Sequence, residues 1–306
     1  MNGIFTDLKN EFSKANNAVV KLILLNVLVF VSVIVLRVFL FYGSYANVYA
    51  EIMHNINLSA AFQSFIYRPW TLLTNFFVHE GIWHILFNML FLYWFGRLLE
   101  EYLGSKRLVG LYILGGLAGG SVFLLMYNLL PYFSRELASA TLVGASGAIF
   151  AVIVGAATLL PDYTFFLLFI GPVRIKYIAA FYILLSMAEL VGPNAGGNLA
   201  HLAGALVGFG FIKALKSGHD WGVPIYAVGN FISSLFSSPP STRVPQRAST
   251  TATSSKRQFN TFKSETPTAV SKPTQDEIDT ILDKISRSGY ESLSREEKQK
   301  LYKASQ

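Results

Sequence analysis

The chain has 306 residues, 52% of them hydrophobic and only 14% charged, with a mean hydropathy of +0.43, which is too apolar and charge-poor for an ordinary soluble domain and puts the chain in a membrane. Its net charge of +7 does not argue for nucleic acid, because Lys and Arg gather at the ends of apolar stretches and in the C-terminal tail, as topology signals do. There is no cysteine, so disulfides, thiolate catalysis and Cys-based metal or haem sites are excluded.

The first element, residues 1–18, contains GIFTDLKNEFSK, where Ile4, Phe5, Leu8 and Phe12 recur at helical spacing against Lys9 and Lys14. That pattern predicts an amphipathic helix lying on the membrane surface. Residues 19–217 then carry six apolar stretches able to span a bilayer: Val19 to Phe41, Ile82 to Leu99, Leu108 to Leu130, Ala145 to Leu160, Ile175 to Leu190 and Leu199 to Leu215. The sequence therefore predicts an all-α membrane protein, a six-helix bundle. The first run is too long for a cleavable signal core. The aromatic-rich connection from Gly43 to Gly81, with FQSFIYRPW in it, is expected to rest on the membrane interface.

Residues 218–273 include SSPPSTRVPQRASTTATSSKR, a Ser/Thr/Pro-rich basic segment that reads as a low-complexity linker. Residues 274–306 read as a small helical hairpin. Thr274 with Glu277 makes a capping box before Ile278, Ile281, Leu282 and Ile285, and Ser294 with Glu297 opens a second short helix. Its readings are a solvated tail and a docking site for a partner. With the N-terminus cytoplasmic, the inside collects Lys9, Lys14, Lys21, Lys106, Arg107, Arg174, Lys176, Lys213 and Lys216, and the outside keeps Arg68, Arg135 and Arg37. Both termini are then inside.

At the start of the second span stands HEGIWHILFN, His79 to Asn88. A zinc protease helix needs histidines four apart on one face. His79 and His84 are five apart, which spoils a zinc site, whereas His84 and Asn88 are four apart and share a face. The expectation is a hydrogen-bonding pair, with no metal and no cofactor. Spans two, four and six start on the same side, and each carries a polar group near its start: His84 and Asn88, then Ser146, then His201. At about 1.5 Å per residue all four fall at a similar depth, roughly 10 Å below the outer hydrocarbon surface or somewhat deeper for Asn88. Polar groups inside a bilayer are costly and ask for a reason.

Chemistry supplies one. GASGAIFAVIVG puts Gly144 and Gly147 beside Ser146, and AHLAGALVG spaces Ala200, Gly204 and Gly208 into a small-residue ridge that lets two helix backbones approach. Close approach is what a Ser-His contact requires: a hydroxyl attacks only when a base within hydrogen-bond reach takes its proton, and a buried neutral imidazole can do so. His201 is the candidate base. The oxyanion then needs donors, which the Ser146 backbone N–H, His84 and Asn88 are placed to give. Singly, a serine between glycines is usually helix packing, a lone histidine often bonds a carbonyl, and an asparagine can be interhelical glue; four at one depth on alternate helices favour a site. His79, outside the helix start, is expected to be a structural donor to loop backbone.

These residues resemble the rhomboid family of intramembrane serine proteases. HEGIWHILFN fits HxxxxHxxxN, GASG fits GxSG, and AHLAG with Gly208 fits AHxxGxxxG, in the family's order and spans. The resemblance covers about Arg68 to Phe211. It implies Ser146 as nucleophile and His201 as base without a carboxylate, His84 and Asn88 at the oxyanion, and Phe150 as the ring supporting the base. It also implies transmembrane protein substrates within a lipid bilayer, a preference for small residues at the cut, and no nucleic-acid partner. Glu100 with Leu103 and Gly104 resembles the family's acidic turn, and the tail weakly resembles an appendage of Bacteroidetes-type members, which implies a bacterial inner membrane. Where the family often carries Trp-Arg in the first loop, Trp70 is here followed by Thr71. Rival readings are an inactive client-binding relative and a six-span transporter, the latter opposed by the lack of an inverted repeat.

Overall fold

The structure is a computed structural model that describes residues 17–167, 170–236 and 275–288, together with 293, 294 and 297. The expected N-terminal amphipathic helix, most of the linker and Thr274 lie outside the described residues.

The chain is an integral, multi-pass helical membrane protein. The first helix among the described residues, α1 (Ala18–Tyr42), precedes a connection built from α2 (Ala46–His54), the two-residue strand β1 (Leu58–Ser59), α3 (Phe62–Tyr67) and α4 (Thr71–Thr74). Then come α5 (Ile82–Leu103), α6 (Ser105–Leu129), β2 (Thr141–Leu142), α7 (Ser146–Leu159), the hairpin β3 (Thr164–Leu167) with β4 (Gly171–Arg174), α8 (Ile175–Ala188) and α9 (Ala195–Lys216). α1, α5, α6 and α9 are long and apolar enough to cross a membrane, while α7 and α8 have 14 residues each. At about 1.5 Å per residue a 14-residue helix rises about 21 Å, short of about 30 Å of hydrocarbon. A helix that short, with its C-terminal end at one surface, must begin below the other.

Two buried clusters hold the bundle. The larger joins Val19 and Leu22 of α1, Leu92 and Phe95 of α5, Leu111 of α6, Ile149 and Ile153 of α7 and Phe211 of α9. The smaller lies where the first connection meets the bundle and includes Leu58, Phe123, Tyr127, Leu142 and Ala200. There β1 pairs antiparallel with β2, Leu58 opposite Leu142 and Ser59 opposite Thr141, tying the connection to the residues just before Ser146.

Polar contacts fix the connection. Arg68 donates through Nε to Asn55 Oδ1 at 2.9 Å and lies 3.5 Å from Glu51, and Trp70 Nε1 donates to the Asn55 carbonyl at 2.8 Å. An arginine three residues before Thr71 thus anchors this loop, and Thr71 is buried, its hydroxyl donating to the Arg68 carbonyl at 2.6 Å. At the opposite end Glu100 accepts from the Ala18 N–H and from Ser105 Oγ, joining the start of α1 to the α5–α6 turn, where Gly104 takes a φ of +82°.

The segment expected to open the linker is helical as far as Phe236: α10 spans Val223–Phe236. Asp220 precedes it, 3.1 Å from Arg107, and accepts from Tyr226 Oη at 3.2 Å. In the C-terminal unit α11 (Gln275–Ser288) is followed by Ser294 and Glu297, which cap each other reciprocally: the Ser294 N–H donates to Glu297 Oε2 at 2.6 Å and the Glu297 N–H to Ser294 Oγ at 3.3 Å.

Candidate active site

The approach to α7 sets the first half of the site. Gly144 has a φ of +118°, in the left-handed region that a side chain disfavours. Its N–H donates to the carbonyl of buried Asn75 at 2.9 Å. A Cβ on Gly144 would stand 2.7 Å from His84 Cε1, 2.8 Å from His84 Nε2 and 3.8 Å from Ser146 Oγ, so the imidazole lies directly over this glycine with the serine hydroxyl close by. Ser146 begins α7, and its backbone N–H is one of the four at a helix start without an intrahelical acceptor. The positive end of the helix dipole lies there too.

Small residues bring α9 against α7. A Cβ on Gly147 would sit 3.3 Å from the Ala200 carbonyl oxygen, one on Gly204 would collide with the Gly147 carbonyl, and one on Gly208 with the Ala151 carbonyl. The neighbours of Ser146 and His201 are therefore in backbone contact. Phe150 stands one turn along α7 from Ser146, and the His201 ring stacks on it with centroids 4.2 Å apart and planes 6° from parallel. The other edge of that imidazole meets α8, where Ser186 Oγ lies 3.2 Å from His201 Nδ1.

A cavity of about 800 Å³ is bordered by His84, Asn88, Ser146, Phe150, Ser186 and His201. Asn88 is buried and donates one amide hydrogen to the His84 carbonyl at 2.8 Å; a primary amide carries two, so the second is free for another acceptor. His79 is 3% exposed, the Phe77 backbone stands beside its ring, and the ring meets His84 edge-on at 5.0 Å. Burial, and after it the neighbouring His84, lower the His79 pKa to about 4, so it stays neutral and supports the His84 ring by packing.

Sequence reading passed over Ser186, Asn75 and Asn198. Ser186 is an ordinary small residue within an apolar run. Asn198 is buried and donates to the Glu189 carbonyl at 3.2 Å, closing the α8–α9 loop over the base. Only its place three residues before His201 could have drawn attention to it.

Comparison with known proteins agrees with this architecture. The rhomboid domain family matches residues 67–217, and a family of unknown function (DUF6576) matches residues 271–306. RHOMBOID-like protein 12, mitochondrial, of Arabidopsis thaliana is 34% identical over 150 residues, covering 46% of this chain and 44% of that protein. RHOMBOID-like protein 2 of Arabidopsis thaliana is 32% identical over 157 residues, covering 51% and 45%. Rhomboid protein 1, mitochondrial, of Saccharomyces cerevisiae is 34% identical over 140 residues, covering 43% and 38%. The chain thus spans less than half the length of these curated relatives. The matched rhomboid domain, residues 67–217, contains the helices that carry Ser146 and His201, and with the helical membrane bundle and these relatives it shows that the chain belongs to the rhomboid family.

Proposed function

We propose that this protein is an intramembrane serine protease that cuts transmembrane segments of single-span membrane proteins, with Ser146 as nucleophile and His201 as its base. The observation that carries the reading is the His201 ring stacked on Phe150 at 4.2 Å, one turn from Ser146, on a cavity that also holds His84 and Asn88. His201 Nε2 takes the Ser146 proton as Oγ bonds to the scissile carbonyl carbon. The carbonyl oxygen, now an anion, accepts from the Ser146 N–H, the His84 ring and the free Asn88 amide hydrogen. The imidazolium returns its proton to the departing amine, and water, deprotonated by the same nitrogen, releases the acyl group. A helix hides its carbonyls in its own hydrogen bonds, so a substrate has to unwind locally to offer one. Gly, Pro or polar residues near the cut favour that.

The Lys and Arg distribution supports both termini on the cytoplasmic side, and the tail's resemblance to that of Bacteroidetes-type members favours a bacterial inner membrane. The reading is tested by Ser146→Ala and His201→Ala, assayed in membranes on a model single-span substrate. Each should abolish cleavage and the double variant should be scarcely worse, because hydroxyl and base act as a unit. A fluorophosphonate should label Ser146 and no other serine. Folded single variants that still cut would overturn the proposal. Retention of an uncut client by the intact protein would favour the client-binding alternative.

A further inference from the structure

We propose that Ser186, on α8, is a positioning residue for the site: its hydroxyl oxygen accepts the Nδ1–H of His201 and so fixes the tautomer that presents a bare Nε2 to Ser146. The inference rests on the protease reading and adds a third member to its Ser-His pair. Ser186 is 3% exposed, and its Oγ lies 3.2 Å from Nδ1. It is the one side chain that hydrogen-bonds the His201 ring among the described residues.

A neutral imidazole holds one proton on one of two nitrogens, and the partner of one nitrogen decides the state of the other. The contact has two polarities. With Ser186 accepting, the proton sits on Nδ1 and Nε2 is a lone pair able to receive the Ser146 proton. With Ser186 donating, the proton sits on Nε2 and the base is blocked. Phe150 cannot choose between them, since a ring stacked 6° from parallel at 4.2 Å restrains the plane of the imidazole and not its protonation. The choice falls to Ser186. A neutral hydroxyl is a weaker anchor than a carboxylate, and with one hydrogen bond at stake the expected effect is about ten-fold in rate.

The test uses the full chain in bicelles with ¹⁵N-labelled histidine rings. The His201 signals are assigned by their loss in His201→Ala, and cleavage is measured in parallel. In the unaltered chain His201 should be neutral with its proton on Nδ1. Ser186→Ala should move part of the population to the Nε2–H form and lower kcat about ten-fold with KM unchanged. Ser186→Thr, which keeps the hydroxyl, should hold the tautomer and most of the rate. A proton on Nε2 in the unaltered chain, or a tautomer unmoved by Ser186→Ala, overturns the proposal. So does a loss of rate shared equally by the Ala and Thr variants, which would mark Ser186 as packing alone. The tautomer is read without cleavage, so an inactive Ser186→Ala and a protein that never was a protease give different results.

Discussion

The two helix contacts that frame the cavity differ in kind. Between α7 and α9 the backbones touch: the Gly147 and Ala151 carbonyls face Gly204 and Gly208, where no Cβ fits. α8 buries only Ile175, Ile178, Ala179 and Ser186, while Phe181, Leu184 and Met187 are exposed. Ser146 and His201 therefore stand on a seam that cannot shift without backbone collision, and Ser186 reaches the imidazole from a helix held mainly by one narrow stripe. The difference teaches that reactive geometry and its fine adjustment are carried by separate parts of the bundle. The first is set by close packing of small residues and the second by one hydrogen bond.

The sharpest way to break this comparison is to fill the seam. Gly204→Ala would press a methyl against the Gly147 carbonyl, where only backbone movement gives relief. Overpacking of this kind costs about 3 kcal/mol. A displacement of about 1 Å between Ser146 and His201 would lower the rate about 10²-fold even in molecules that fold. On α8, Leu184 is 64% exposed, and Leu184→Ala should change stability by less than about 0.5 kcal/mol. Unfolding of both variants in bicelles, with cleavage measured alongside, makes the contrast. Equal effects at the two positions would show that the seam is no stiffer than the lipid-facing helix.

Loss of one oxyanion donor should affect the rate at least as strongly but leave the seam's stability in place. His84→Ala and Asn88→Ala should each lower turnover by about 10² to 10³ while Ser146 still reacts with a fluorophosphonate, because the nucleophile and base remain. His84 faces Gly144 and Asn88 donates to the His84 carbonyl at 2.8 Å, so the two are coupled and the double variant should lose less than the product of the singles. Full activity in either variant would move the donors elsewhere.

What the sequence made legible follows the same division. Long apolar runs announce spans whatever surrounds them, so the starts of α5, α7 and α8 at Ile82, Ser146 and Ile175 lie within a residue of those read from the chain. Ser146, His201, His84 and Asn88 stood out because polar groups are rare in such runs. Ser186 did not, since a serine in an apolar helix is common and its partner lies 15 residues away on another helix. The β3–β4 hairpin was missed because each strand has four residues and TFFL shows no alternation of polarity. Arg68 was legible only as a topology charge. Its grip on Asn55 needs a tertiary fold to appear.

The smallest effect is expected at the foot of α8, and it bears on how firmly that helix is seated. The hairpin pairs Thr164 with Arg174 immediately before α8, and Asp162 accepts from Lys176 at 2.6 Å and from Arg174 at 3.2 Å. The hydrogen bond and charge of Lys176 hold the Asp162 carboxyl below its usual range, Arg174 adding less. A carboxylate favoured in the folded state stabilises it above the ordinary carboxylate pKa, and that contribution is lost as pH falls through the lowered value. Asp162 is fully exposed, so water and salt screen the pair and its effect is slight. Asp162→Asn should therefore unfold marginally earlier than the unaltered chain at neutral pH and low salt. The gap should close in acid, where the native carboxyl is also neutral, and shrink at high salt. Other titrating groups are common to both chains and cancel in the difference. A gap that persists in acid would trace the change to packing of the amide, and α8 would then be seated by its apolar stripe alone.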